Sequence, residues 1–488
     1  GSVCETIKET IDYLNDEIGL VEVHLYRPFS VKHLLKVLPA STKKIAVLDR
    51  TKEAGSQGEP LYLDITAALK DQDITIVGGR YGLSSKDTTP GMIKAVYDML
   101  DKPQNNFTIG IDDDVTNLSL AYSEITTNQS EEFLIYGYGS DGMVSAAKSI
   151  IQLIGDHTDK YVQGYYEYDS KKSGGITASH LRFSNQKIRS TYFVSHPKLI
   201  VNTKDTYLED FDPVSKIEPN GILIINTIKT EAEILTALNP YKQMLREKNV
   251  KLYIINAYAL ARKCGLNNKV SMIMESAILS LTDLIDYKQA ITYINEFIDK
   301  KFGQKSMDIV KANILGVQEA PKYLKAVDLN DETAALDFKT EDIYDVIARR
   351  KGDSLKVSAF TGMQDGTFHH TKPSGRGISD LVPAWINENC IQCGMCSLVC
   401  PHGVIRPFLL NESEYQKAPE SIKQKCLPAL GVKDHYYIIG VSKENCTGCG
   451  VCINTCPGKA GHKALTYEKI AIDEDFNYLE KHITDKEK

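Results

Sequence analysis

Apolar and polar positions change rhythm repeatedly along the 488 residues of this chain. Residues 3–37 begin with helical spacing and pass into VEVHLYRPF, whose alternation predicts a strand. Continuous apolar runs at 45–48 and 74–77 predict strands covered on both faces. Helical spacing at 61–69 separates them, and charged glycine-bearing loops follow the strands, LDRTKEAGSQGEPLYLD and GGRYGLSSKD. Strands alternating with helices predict a parallel α/β sheet, its loops at the carboxyl edge. Residues 98–132 are polar, include Pro103, and read as a connection between domains. Asp112, Asp113 and Asp114 lie in it but lack the later glutamate of a calcium loop.

A second α/β pattern starts at Phe133. The strand FLIY runs into Gly137, Gly139 and Gly142, a G-x-G-x-x-G run, and helical spacing follows at 143–154. Strand, glycine turn and helix together form a setting in which backbone N–H groups can face a phosphate. Asp141 puts a carboxylate inside this loop. YDSKKSGG, which contains Lys171 and Lys172 beside two glycines, reads as a second, compact anion loop, with a solvated turn as the alternative. Further strands are expected at 221–227 and 250–255, and the chain is then mostly helical to about 319. Residues 320–381 look irregular and loop-rich. His369 and His370 adjoin there without companion ligands at metal spacing. His180 and His196 read as structural.

Residues 389–465 carry the chemistry that organises the chain. CIQCGMCSLVCP holds Cys390, Cys393, Cys396 and Cys400, and CTGCGVCINTCP holds Cys446, Cys449, Cys452 and Cys456. Each is the C-x2-C-x2-C-x3-C-P run of bacterial two-cluster ferredoxins, whose fourth cysteine ligates the other cluster. The expected ligand sets are therefore Cys390, Cys393, Cys396 and Cys456 for one [4Fe–4S] cube, and Cys446, Cys449, Cys452 and Cys400 for the other. One structural zinc site takes four ligands in total, and eight cysteines overfill it. Trp385, five residues before the first cysteine, is expected to pack over this lobe, and the charged tail beyond Leu465 to fray.

The net charge of -7 and the lack of a basic run exclude a nucleic-acid partner. No 18-residue apolar run, signal peptide or lipidation box is present, which predicts no membrane partner and a cytoplasmic location. Cys4, Cys264 and Cys426 are expected to be free, buried thiols in a reducing, anaerobic cytoplasm. Gly1-Ser2 has the look of a cloning remnant.

Taken together, YRPF, the two charged loops, GYGSDGMVSA, YDSKKSGG with SHLRF, VSAF with DGTF, and WINENCIQCGMCSLVCPHGVIRPF resemble the 2-oxoacid:ferredoxin oxidoreductase family. Within it they are similar to the pyruvate:ferredoxin (flavodoxin) oxidoreductases, nearly end to end. The resemblance implies an α/β multidomain chain: a parallel α/β transketolase C-terminal-like domain (1–103), a gamma-type α/β oxidoreductase domain (130–319), a small linker domain (320–380) and an α+β bacterial 2[4Fe-4S] ferredoxin domain (381–470).

It also implies coenzyme A at Gly139, Ser140, Asp141, Gly142, Met143 and Lys171. A family asparagine falls at Ser271 here, a shorter polar contact, and another matches Asn313. The family's Glu-Lys-Arg before a glycine is reduced to Arg376 of Ser374-Gly375-Arg376-Gly377. The Gly-Asp-Gly motif for thiamine diphosphate and Mg, and the ligands of a third cluster, are missing from this sequence. A fragment, a subunit of a split enzyme or a truncation is therefore expected, inactive without the thiamine diphosphate-binding domains, with no catalytic residue assigned. The implied activity is pyruvate + CoA to acetyl-CoA + CO2, electrons leaving to ferredoxin or flavodoxin, from a homodimer when complete. The alternatives are a non-catalytic iron–sulfur electron-transfer module and part of an oxidoreductase for another 2-oxoacid.

Overall fold

The structure is a computed structural model that describes every residue except 128–129, 140, 170–174, 305, 330–342, 363–376, 378, 471–473 and 484–488. The amino-terminal unit is a three-stranded parallel sheet of Lys44–Asp49, Thr75–Arg80 and Phe107–Thr108, in that order. Helices Cys4–Leu14, Pro60–Ala68 and Pro90–Met99 cover it. Phe107 is fully buried, and its ring occupies the space where Gly79 has no side chain. The sheet therefore runs past the expected boundary at 103. The alternating stretch VEVHLYRPF forms no strand: Leu25 and Val21 are exposed and the backbone pairs with nothing regular. Alternation supplies the pattern of a strand but not a neighbour to pair with.

The second unit is a seven-stranded mixed sheet. Its order is Lys325–Val327, Lys251–Ile255, Ile222–Asn226, Leu199–Asn202, Glu131–Tyr138, Ile176–Ser184, Tyr161–Tyr168. The four strands from 251 to 131 are mutually parallel; Ile176–Ser184 pairs antiparallel with both Glu131–Tyr138 and Tyr161–Tyr168, and Lys325–Val327 pairs antiparallel with Lys251–Ile255. Leu199, Ile200, Val201, Leu223, Ile224 and Ile225 are each at most 1 % exposed. Burying a side chain of this kind contributes roughly 1.5–3 kcal/mol, so these strands anchor the loops at their carboxyl ends. The strand Lys325–Val327 extends this unit beyond 319. The stretch SHLRF lies within the strand Ile176–Ser184. Its Arg182 is paired with Glu132 at 2.6 Å inside the sheet, and His180 with Glu167 at 2.8 Å. Both polar side chains stay buried because each has a charged partner.

The described part of residues 343–362 straps the two units together. Asp353 pairs with Lys86, Arg350 with Glu167 and Lys351 with Asp212. The aspartates of the expected connection have their role here: Asp114 accepts from the N–H and hydroxyl of Ser358, and Asp113 accepts from the N–H of Val115 and Thr116. His369, His370 and Arg376 lie outside the described residues.

The cysteine-bearing unit opens with Leu381–Trp385, antiparallel to Leu465–Lys469. Between the two cysteine runs the chain leaves along Ile405–Asn411 and returns along His435–Val441, paired antiparallel. The tail does not simply fray: Glu474–His482 is a helix that buries Phe476 and Leu479 against this excursion. Among the described residues no helix is long and apolar enough to cross a membrane.

One buried acid yields a test. Glu275, on the helix Ser271–Leu279, is 0 % exposed and accepts from Ser149, while its Oε2 has no partner among the described residues. Burial pushes its carboxyl up to about 8. The folded value lies above the unfolded one, so the folded state holds a proton that the unfolded state has lost between about pH 4.5 and 8. Stability from this group is complete at low pH and falls by about 1.4 kcal/mol per pH unit across that window. Urea unfolding at pH 5.5 and 7.5 should show this slope in the wild type, and Glu275→Gln should remove it.

Candidate functional site

The two cysteine runs fold into matching turns. The residue two places after the first cysteine of each run has positive φ, Gln392 at 56° and Gly448 at 65°. Its N–H donates to that cysteine's Sγ, Gln392 to Cys390 at 3.4 Å and Gly448 to Cys446 at 3.3 Å. Gly394 and Gly450 then cap the short helices Met395–Leu398 and Val451–Thr455 in the left-handed region. The two turns differ for a steric reason. A Cβ on Gly448 would fall 2.1 Å from Ser379 Oγ, so only glycine fits. Gln392 has room, and its amide ties the cluster turn to Pro428 O and Leu430 N.

This folding brings together two sets of four cysteines. Cys390, Cys393, Cys396 and Cys456 surround one cavity of about 350 Å³, walled also by Trp385, Tyr437 and Leu465. Cys400, Cys446, Cys449 and Cys452 surround a second of about 370 Å³, walled by Val404, Ile405 and Tyr467. In each, the fourth cysteine comes from the other run. Among the described residues no three Cys, His, Asp or Glu side chains close on a point that would hold one ion. Burial, with the neighbouring thiols adding to it, pushes Cys396 up to about 11 and Cys452 up to about 12. Both thiols are protonated before metal arrives, and metal binding must release those protons.

The second cysteine turn is linked to the seven-stranded unit through Gly377, Ser379 and Asp380. Ser379 packs on Gly448, and Gly377 N donates to Glu444 O. On the other side of this short segment, Asp380 pairs with Lys204 at 2.5 Å, and Thr206 donates to Gly377 O. Lys204 is 2 % exposed and sits just past the carboxyl end of Leu199–Asn202. No sequence pattern marks Lys204, Asp380, Tyr437 or Tyr467, because each owes its position to contacts between distant segments.

The glycine loop lies at the carboxyl end of Glu131–Tyr138. Gly142, at φ 87°, caps the helix Met143–His157. A Cβ on Gly142 would meet that of Ser271 at 3.2 Å, so Ser271 stands directly against the loop. Gly139 N donates to Gly175 O, which joins the loop to the base of the YDSKKSGG connection between the antiparallel strands Tyr161–Tyr168 and Ile176–Ser184. Ser140 and Lys171 lie outside the described residues. Asn313 is on the helix Met307–Tyr323, where its amide donates to Ile309 O. The Asp141 carboxylate accepts from Tyr138 N at 2.9 Å, Met143 N at 2.8 Å and Thr203 Oγ1 at 3.2 Å. It is turned into its own loop, where it satisfies the helix start. Burial pushes it up to about 6.

Residues 132–323 match the family model for pyruvate ferredoxin/flavodoxin oxidoreductase, and residues 1–93 match that for pyruvate:ferredoxin oxidoreductase core domain II. Residues 389–460 match the 4Fe-4S dicluster domain. Over 508 residues the chain is 43 % identical to the pyruvate:ferredoxin oxidoreductase of Moorella thermoacetica, covering 98 % of this chain and 43 % of that protein. Over nearly its whole length the chain is thus similar to the pyruvate ferredoxin/flavodoxin oxidoreductases. The pyruvate-flavodoxin oxidoreductase of Enterobacter agglomerans is 41 % identical over 502 residues, 97 % of this chain and 42 % of that protein. The chain spans about two fifths of the length of those relatives. A pyruvate oxidoreductase subunit of Thermotoga maritima, 20 % identical, superposes with a TM-score of 0.33 over 41 % of this chain and 100 % of its own. As in the family, the carboxyl-terminal part is an iron–sulfur electron-transfer domain.

Gly142 offers a test of the loop. Gly142→Ala forces a side chain into left-handed backbone and against Ser271, which should cost about 1–2 kcal/mol. The urea midpoint of the unit should fall accordingly, whereas Gly265→Ala, with open space around it, should bear only the backbone strain.

Proposed function

We propose that this chain is the CoA-binding and electron-transferring part of a pyruvate:ferredoxin/flavodoxin oxidoreductase. The observation that carries the reading is the pair of four-cysteine cavities, each completed by the other run's last cysteine. Cys390, Cys393, Cys396 and Cys456 hold one [4Fe–4S] cluster, and Cys446, Cys449, Cys452 and Cys400 the other. Bound there, the clusters supply one-electron transfer at low potential. The chain's own contribution is to exclude water with Leu465, Val404 and Ile405, and to aim N–H groups of Gln392, Gly448 and Ala464 at thiolate sulfur.

The reaction served is pyruvate + CoA to acetyl-CoA + CO2, its two electrons leaving singly to ferredoxin or flavodoxin in the cytoplasm. Thiamine diphosphate and Mg belong to domains beyond this sequence, in an enzyme that is a homodimer when complete. CoA occupies the face formed by Gly139, Gly142 and Met143, with Ser271 beside it and Asn313 on the neighbouring helix; Ser140, and Lys171 as countercharge, complete the proposed contacts from outside the described residues. Asp141 is a positioning residue there.

Anaerobic reconstitution should load about eight irons per chain. One retained zinc, without charge-transfer absorption, would overturn the assignment. Cys400→Ala should damage the cluster of Cys446, Cys449 and Cys452 and spare the other, a distinction visible by EPR. The chain by itself should show no CoA-dependent pyruvate oxidation, and activity should return when the thiamine-binding parts are added. Turnover by the pure chain would contradict this. Lys171→Ala should weaken CoA binding about ten- to a hundredfold by calorimetry, the loss of one sheltered charge-assisted contact, with iron content unchanged.

A further inference from the structure

We propose that the indole N–H of Trp385 donates a hydrogen bond to sulfur of the cluster held by Cys390, Cys393, Cys396 and Cys456, and raises that cluster's reduction potential. The inference rests on the cluster reading above and adds a residue that acts on the cluster's electronics.

Trp385 walls the first cavity beside Tyr437, the two rings edge to face at 6.3 Å. Its Nε1 is shut off from water and has no acceptor among the described residues, the cysteine sulfurs included. Among the described residues beyond 295 it is the one sheltered side-chain nitrogen or oxygen left without a partner. An indole N–H buried in this way ordinarily finds an acceptor, because leaving it unpaired is costly. Of the other walls, Ile391, Met395, Pro457, Ala464 and Leu465 have no side-chain nitrogen or oxygen, and the one side-chain oxygen present, the Tyr437 hydroxyl, does not accept from the indole. Inorganic sulfide is the acceptor that the cluster itself would bring.

The internal repeat shows that this donor serves one cluster only. WINENC precedes the first run and VSKENC the second, so the position equivalent to Trp385 is Val441. The backbone donors do repeat, Gln392 N on Cys390 and Gly448 N on Cys446. Donors to sulfur stabilise the reduced, more negative cluster and lift its potential. Trp385 therefore adds to the first cluster, which also has the Ala464 N–H on Cys456, a side-chain donor that the repeat does not give the second.

The test uses the full chain, reconstituted anaerobically. Uptake of about eight irons and two EPR signals in the wild type decides the cluster reading first, and Cys390→Ala identifies which signal belongs to the first cavity. Trp385 is then replaced in two ways. Trp385→Phe removes the N–H and part of the ring. Benzothienylalanine at 385 removes the N–H but keeps the bicyclic shape, which controls for lost packing. In EPR-monitored redox titrations both replacements should move the first cluster to lower potential and leave the second unchanged. An exchangeable-proton coupling on the first cluster, seen by comparing H2O and D2O, should vanish with them. Unchanged potentials and couplings with benzothienylalanine, or equal shifts of both clusters, would overturn the inference while leaving the cluster reading intact. Failure of the wild type to load iron would sink both.

Discussion

Three cysteines spaced three residues apart can line only part of a cavity, because one turn of chain approaches it from one side. The fourth side must be closed from elsewhere, and here each run closes the other's cavity. That requirement fixes much of the carboxyl-terminal unit. The short helices Met395–Leu398 and Val451–Thr455 must pack together, and the ends of the unit must meet in the pairing of Leu381–Trp385 with Leu465–Lys469. The excursion between the runs is permitted because it returns to its starting point. Ile405–Asn411 and His435–Val441 stay in register, and Ser442 N donates to Val404 O at 2.8 Å. The excursion also supports the first cysteine turn, since Gln392 bonds to Pro428 O and Leu430 N.

The seating of this unit on the sheet depends on a buried charge. Lys204 is held between Asp380 at 2.5 Å and Asp205 at 3.9 Å, with almost no access to water. Burying an ion costs several kcal/mol before its partner offsets it, so such a pair adds little net stability but strongly disfavours any arrangement that separates it. Asp380 immediately follows Ser379, which packs on the glycine of the second cysteine turn. Position is thereby transmitted from the carboxyl edge of the sheet to the second cavity through two adjacent residues.

The cysteine pairing was readable in the sequence because the spacing is itself the chemistry: a run that can hold three corners and no more implies the crossing. The glycine turn was readable for a similar local reason, since strand, Gly142 and helix adjoin in the chain. What could not be read depends on partners distant in sequence. Ile176–Ser184 hides as a strand because His180 and Arg182 break its apolar run, and only Glu167 and Glu132 make those residues tolerable inside. Phe107–Thr108 is two residues in a polar stretch, fixed by the space over Gly79. VEVHLYRPF has the converse fault, a strand pattern with no strand beside it. The helix Glu474–His482 looked like a charged tail because just two of its residues, Phe476 and Leu479, are buried.

Asp141 changes how an anion must be held at the glycine loop. The amides of Tyr138 and Met143, which such a loop would ordinarily turn toward a phosphate, are taken by its carboxylate. The positive end of the helix Met143–His157 thus already faces a negative group, ionised above about pH 6 despite burial. A phosphate cannot take the same place without meeting like charge. It must lie further out, and the countercharge must come from outside the loop. Gly139 N on Gly175 O fixes the base of the lysine-bearing connection at that outer edge. In the proposed CoA site the division of work follows: Gly142 and Ser271 shape the floor, Asp141 keeps the turn rigid, and the lysines of YDSKKSGG, rather than the helix amides, supply the charge that an anionic ligand needs.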